Sequence, residues 1–366
     1  TSSASNAVQV VHAAADHLSV ATTATGAAAG IAFTRQPVIE VRDVEENVIT
    51  DGNKSTAIII ASIGTGATLS GDYAINAVNG VATFTNLLAE GTANSYTLSF
   101  ATPGLSTVTQ SLTLTYGNAH HLGITTQPVG GHAAGATFTT APVVKVYDAY
   151  DNVVGNSTAS VVATIASGAG GSLTSATKAA VNGIADFSAL RLVGTPGTAY
   201  TLAFASTGLT GATSQSFTVT YAAASQLVLV TQPYGTNMTG EDLTGQPVLN
   251  LKDQYGNLIT GDNSSVITAH ISTGTGGSLS GATATASGGV VTFAHLKLVG
   301  TPGVSYTLKF TTASITSADS NAITVTNNVA TQIVLSTSAT GARAGLAFTT
   351  QPVITVQDAS GNTVQN

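Results

Sequence analysis

Hydrophobic and polar residues alternate most cleanly in a short segment that occurs four times. Ile39 and Val41 alternate with Glu40 and Arg42, and Val144 and Val146 alternate with Lys145 and Tyr147. The pattern returns in the stretches that begin at Val248 and Val353. A period of two marks a strand with one buried face. The outward residues change from copy to copy (Glu40, Lys145, Asn250, Thr355), whereas the inward ones stay aliphatic. The constraint shared by the copies is therefore a core face.

Each of these strands runs into an Asp followed four residues later by an Asn. The aspartates are Asp43, Asp148, Asp253 and Asp358, and the asparagines are Asn47, Asn152, Asn257 and Asn362, both in equal steps of 105 residues (148 − 43). Pro37, Pro142, Pro247 and Pro352 keep the same step. An Asp side chain can bond backbone two residues on, and Asn and Gly tolerate left-handed backbone, so the eight Asp and Asn positions are read as a structural turn closing the strand. Gly precedes the Asn in two copies (Gly256, Gly361), but Glu46 and Asp151 stand there in the other two, which leaves the turn type open.

Further signals recur in the same order. Gly30, Phe33 and Pro37 are matched by Gly135, Phe138 and Pro142, by Gly240, Leu243 and Pro247, and by Gly345, Phe348 and Pro352. Downstream, "NGVATF" from Asn79, "NGIADF" from Asn182 and "GGVVTF" from Gly288 each place a turn dipeptide before a strand. Then come "YTLSF", "YTLAF" and "YTLKF" at Tyr96, Tyr200 and Tyr306, and an alternating closing strand such as "QSFTVTY" (residues 215–221). About seven strands per repeat with no helix predict an all-β chain of tandem immunoglobulin-like β-sandwich domains. A 105-residue period is the length of one such domain rather than of a solenoid unit. The expected division is a closing strand of a preceding repeat at 1–16, repeats at 17–118, 119–223 and 224–328, and the first strands of an incomplete fourth at 329–366. The linkers, such as "TYGNAHHL" and "TYAAASQL", lack flexible Gly/Ser or Pro runs, so the domains are expected to be arranged as a rod.

The order V-x-V-x-D-x-x-G-N-x-V, then N-G-V-A-x-F, then Y-x-L resembles the bacterial immunoglobulin-like repeats of the invasin and intimin type, which occur in large secreted surface proteins. The resemblance covers nearly the whole chain. It implies an extracellular, cell-surface location and a stalk or fibre, and it names no ligand.

Composition narrows the functions further. Charged residues make up 7% of the chain and the net charge is −7 without a basic cluster, so nothing is present to neutralise a nucleic-acid backbone or an anionic membrane. There is no Cys, which removes disulfides and thiolate metal sites. No apolar run approaches the roughly 18 residues of a membrane-spanning helix, so no membrane insertion is expected of this segment.

Candidate sites are few. The recurring Asp43, Asp148 and Asp253 are weak calcium candidates, because that ion takes 6–8 oxygen ligands and only one carboxylate per repeat recurs. Turn capping is the competing reading. Apart from calcium, no cofactor is expected. His12, His17, His120, His121, His132, His270 and His295 show no common position in the repeat, and the His120-His121 pair with His132 has no acidic neighbour in sequence. They are read as scattered surface histidines. Tyr96, Tyr200 and Tyr306 could form an aromatic platform for carbohydrate, but their spacing with Leu and Phe suggests a tyrosine corner whose hydroxyl bonds backbone. Asn-x-Ser/Thr sequons stand at Asn53, Asn156, Asn237 and Asn263, and the loop after the turn holds the possible glycosylation sites Asn53, Asn156 and Asn263.

No non-repeated cluster of titratable groups suggests catalysis. The leading expectation is a structural, non-enzymatic protein forming the shaft of a surface filament, fibre or lattice. The alternative is the stalk or ligand-binding region of an adhesin, with a glycan, host or neighbouring-cell surface as partner. Low charge density weakens repulsion between copies, so self-association is expected. "SNAVQVV" (residues 5–11) is similar to "SNAITVT" (residues 320–326), and the fourth copy stops just past its turn. The 366 residues are thus expected to be a window on a longer polypeptide.

Overall fold

The computed structural model describes residues 11–313, 315–317 and 319–365. Among these residues all regular structure is β and no helix occurs. The closing strand expected at residues 5–11 lies, except for Val11, outside the described residues.

The first copy shows how the alternation becomes a sandwich. Its strands are β1 (His17–Thr22), β2 (Ala27–Ala28), β3 (Val38–Arg42), β4 (Ile58–Ile63), β5 (Ala67–Ser70), β6 (Ala74–Asn76), β7 (Val81–Thr83), β8 (Leu88–Gly91), β9 (Asn94–Ala101) and β10 (Val108–Thr115). One sheet has the order β1-β3-β7 and the other β2-β10-β9-β4-β6, with β5 and β8 paired separately. The expected seven strands are thus supplemented by short ones, because irregular connections such as β2 and β8 still find backbone partners. In the first sheet Leu18 opposes Val41, and Val20 and Ala82 both oppose Ile39. In the second, Ala61 opposes Phe100 and Leu112 opposes Tyr96. The apolar positions of both sheets meet in one core that includes Ile39, Val41, Ile59, Phe84, Leu98 and Phe100.

The same plan recurs. Three-stranded sheets form from His121–Thr126, Val143–Tyr147 and Ile184–Asp186, and from Ala224–Thr231, Val248–Asp253 and Val290–Thr292. A register shift near the end of the first strand of each sheet recurs at Val20/Thr22, Ile124/Thr126, Leu229/Thr231 and Leu335/Thr337. An aromatic pair marks the centre of each core. Phe84 and Phe100 have ring centroids 5.5 Å apart, Phe187 and Phe204 5.2 Å, and Phe293 and Phe310 5.4 Å. One expected element is shorter than its alternation suggests. In the second copy the closing strand is broken into Ala212–Thr213 and Phe217–Thr218. Between them the Ser214 side chain takes over part of the ladder, accepting the Leu202 N–H at 2.9 Å.

By contact density the chain divides into two compact units. One contains the chain up to Gly131 with Thr137–Leu192 and Ala199–Thr218, and the other contains His132–Ala136, Val193–Thr198 and the chain from Val219. The first unit holds the sheets of copies one and two, and the second those of copy three with the paired strands Ala330–Thr337 and Val353–Asp358.

Candidate functional site

The recurring Asp is the most polar buried feature of every copy. Asp43, Asp253 and Asp358 are fully buried and Asp148 is 1% exposed. A buried carboxylate is costly unless it is hydrogen-bonded, and each of these accepts from four N–H donors. In the second copy Asp148 Oδ1 accepts the backbone N–H of Tyr150 (2.9 Å) and Asn152 (2.9 Å). Its Oδ2 accepts the Asn152 side-chain amide (2.9 Å) and the backbone N–H of Gly117 (2.7 Å). The first copy repeats this with Glu45 and Asn47 on Oδ1, and with the Asn47 side chain and the Ala13 N–H on Oδ2. In the third, Tyr255, Asn257 and the Asn257 side chain are joined by the Ala222 N–H, and in the fourth Ser360, Asn362 and its side chain by the Asn328 N–H.

Two of the four donors are backbone groups of the turn itself. A third is the Asn four residues on, whose backbone carbonyl also accepts the N–H of the Asp in all four copies. The fourth donor lies about 30 residues upstream, in the linker that enters the copy. Ala13, Gly117, Ala222 and Asn328 share no side chain, so their role leaves no mark in the sequence. Spacing from the Asp, 30 or 31 residues, is the only available signal.

The electrostatics follow from these bonds. Burial pushes each of the four carboxyls up, but the N–H donors outweigh it and hold all four below the ordinary carboxylate value of 3.8. Two donors on each oxygen use the lone pairs that a cation would need. Among the described residues no group of three or more His, Asp or Glu is gathered as a metal site would require.

The residue before the Asn has the same backbone in every copy. Its φ is +68° at Glu46, +64° at Asp151, +83° at Gly256 and +84° at Gly361. The turn type left open by Glu46 and Asp151 is therefore one left-handed turn throughout. In the two copies that lack Gly, the acidic side chain meets a histidine. His17 Nε2 lies 3.3 Å from Glu46, and His121 Nε2 lies 3.1 Å from Asp151. These histidines oppose Arg42 and Tyr147, the register position taken by Gln226 and Gln332 in the copies with Gly. This corrects the expectation that no histidine recurs and that the His120-His121 pair has no acid nearby. His17 and His121 are 104 residues apart (121 − 17), and that one-residue offset hid their equivalence. Elsewhere His12 lies 3.0 Å from Asp51 and His295 lies 3.0 Å from Asp242, whereas His132 is buried and its pKa is pushed down by that burial.

Tyr96, Tyr200 and Tyr306 point inward. Their hydroxyls donate to the carbonyls of Thr92 (2.7 Å), Ala169 (2.8 Å) and Thr275 (2.9 Å), and none presents an exposed ring. Asn53, Asn156 and Asn263 are exposed in their shared loop. Asn237 is buried, with its side-chain oxygen accepting the Thr244 N–H at 2.7 Å.

No family model matches the chain, and no curated protein sequence does either. Solved structures do match. Domains 4–9 of the surface-layer protein SbsC are 15% identical over 96% of this chain and 54% of that one, with a TM-score of 0.25. The D0-D1 domains of intimin are 17% identical over 56% of this chain and 98% of that one, with a TM-score of 0.21. A β-glycosidase from Bacteroides vulgatus is 14% identical, and the match covers 57% of this chain but only a quarter (25%) of the glycosidase, with a TM-score of 0.25. At such identities and TM-scores the likeness assigns no activity, partner or location.

Proposed function

We propose that this chain is a structural, non-enzymatic segment of an extracellular surface protein, in which tandem β-sandwich domains serve as the shaft of a filament, fibre or lattice. The observation that carries the reading is the fourfold recurrence of one buried Asp that ties a turn to the incoming linker. A device repeated at every linker serves the connection between units, whereas an active site needs a non-repeated gathering of titratable groups. The domain limits proposed are 17–118, 119–223 and 224–328, with 329–366 opening a fourth. The Asp–Asn pairs act as structural hubs rather than calcium ligands, since their carboxylate oxygens already carry N–H donors. Asn53, Asn156 and Asn263 remain the positions at which a glycan would meet no core residue.

Self-association is part of the same reading. With 7% charged residues, surfaces of Thr, Ser and Ala can approach one another with little electrostatic repulsion. Immunogold imaging of the native cell surface tests the proposal. Label along filaments or an ordered layer is the expected result, and label confined to the cell interior would overturn it. Sub-millimolar binding of a glycan by one isolated repeat would replace the shaft with a ligand-binding role.

A further inference from the structure

Beyond its bonds to the Asp, the turn reaches the copy that precedes it. In the first compact unit the ring of Tyr150, two residues past Asp148, lies against Gly30 of the first copy. A Cβ added to Gly30 would stand 2.9 Å from the Tyr150 ring carbon and hydroxyl, closer than real contacts allow. Gly30 also has φ +71°, so both its backbone and its missing side chain are needed there. Tyr150 packs on the apolar core of the first copy, beside Glu90 of that copy. Asn152, four residues past Asp148, completes the contact. Its side-chain amide donates to the Gly91 carbonyl at 3.0 Å, and its oxygen accepts the Ala93 N–H at 2.6 Å.

The second compact unit repeats these elements with different residues. A Cβ on Gly135 would overlap the Tyr255 hydroxyl, and one on Gly240 would meet Ser360 Oγ at 3.5 Å. Asn362 donates to the Gly300 carbonyl at 3.5 Å, and Asn328 of the linker donates to the Thr239 carbonyl at 3.3 Å. Gly30, Gly135 and Gly240 are separated by 105 residues, as are Tyr150, Tyr255 and Ser360. Gly30, Gly135 and Gly240 are thus each one half of a recurring contact whose other half is the turn of the following copy.

We infer that the turns after Asp148, Asp253 and Asp358 are head-to-tail docking elements, each seated on the glycine loop of the preceding copy of the same repeat. The residue two past the Asp is the knob, the left-handed Gly is its seat, and Asn152 and Asn362 clasp loop backbone of the preceding copy. The Asp holds the linker at the junction, so one turn fixes its own loop, the linker and the neighbour. Tyr150 fills its seat with a ring and a hydroxyl, while Ser360 leaves room beside Gly240 for a Cβ at ordinary contact distance. The junction made by Ser360 is accordingly the looser of these two.

The inference deepens the shaft reading by naming what each repeat docks against, and it depends on that reading only for its biological use. The chain has no Cys, so two introduced cysteines can carry unique spin labels. Ser111→Cys in the first copy and Lys178→Cys in the second place both labels on exposed strand positions of the full chain. Pulsed electron spin resonance then reads the distance distribution between the two copies. A narrow distribution is expected for the parent, at least twice the width for Tyr150→Ala with Asn152→Ala, and near-parent width for Tyr150→Phe, which keeps the ring in its seat. Amide exchange in β9 and Ala199–Ala205 reports whether both sandwiches stay folded. Tyr150→Ala alone, which leaves the Asp148 bonds in place, supplies the answer if the double variant unfolds. A parent distribution already as broad as that of the alanine variants would overturn the docking element, even if the protein is found in a surface filament. Loss of the surface location would leave it standing.

Discussion

The third and fourth copies carry nearly the same segment, Val248–Asp253 and Val353–Asp358, and the two behave differently on opposite sides of one residue. In the third copy Leu249 and Leu251 are fully buried. Their counterparts Ile354 and Val356 are 61% and 43% exposed. Yet Asp253 and Asp358, which end the same strands, are both fully buried with the same kinds of donor. The polar hub forms from the strand, its turn and the linker. The apolar face needs the opposite sheet, which in the third copy brings Ile267, Leu308 and Phe310. In the fourth copy the sequence stops before the positions equivalent to Ile267, Leu308 and Phe310. Local hydrogen bonding and non-local burial thus draw on different parts of the third copy.

The largest expected effect tests that separation directly. Leu251→Ala should destabilise the third sandwich by about 2–5 kcal/mol, the usual cost of truncating a buried Leu, while Val266→Ala at an exposed strand position should change it by less than about 0.5 kcal/mol. Denaturant unfolding followed by amide exchange in each copy distinguishes the two. Equal costs would mean that burial against the opposite sheet does not carry the stability of the third copy.

Removing a hub should instead be felt in both places. Asp253→Ala leaves four N–H groups without their acceptor and should cost about 3 kcal/mol. Asp358→Ala should expose its own turn amides to exchange just as fully, because the same donors are released. If only the Asp253 variant showed exchange, the hub would depend on the sandwich after all.

Acid should weaken the hubs before it touches the apolar cores. The folded carboxyls lie below the ordinary value of 3.8, so the unfolded chain binds protons first. Their stabilisation is full above that value and is lost as pH falls through the depressed folded pKa. Separate from the earlier change near pH 6.5 that the depressed pKa of His132 brings, a drop in the midpoint of unfolding below about pH 4 is expected for the parent. The drop should be smaller in Asp253→Asn.

A subtler comparison sets the copies with an acidic left-handed residue against those with Gly. Asp151→Gly should gain up to about 1 kcal/mol by relieving the φ of +64°, less whatever the exposed pair with His121 contributes. Gly256→Ala should lose about 1 kcal/mol at φ +83°. The smallest expected effect is none at all: chelation with EDTA should leave the melting temperature unchanged, and a drop of several degrees would restore the calcium candidates Asp43, Asp148 and Asp253.

Much of this was legible in the sequence. Alternation around Ile39 and Val41 set the strand and its buried face, the 105-residue step set the number of copies, and the Asp–Asn spacing set the turn. The inward tyrosines were readable from their spacing with Leu and Phe. The pairing of His17 with Glu46 and of His121 with Asp151 was not, because a one-residue offset broke the period and the acids come from across the turn.

What the sequence determined by itself was every feature whose cause is a side chain at a fixed distance along the chain: strand faces, turns and repeat length. Only the tertiary structure decided what the buried Asp holds. Its linker partners are the backbone N–H groups of Ala13, Gly117, Ala222 and Asn328, and a backbone amide is the same whatever residue carries it. The seat for Tyr150 was equally hidden. A glycine announces that backbone must bend or come close, but which ring fills the space beside Gly30 is settled by the packing of one copy on the next.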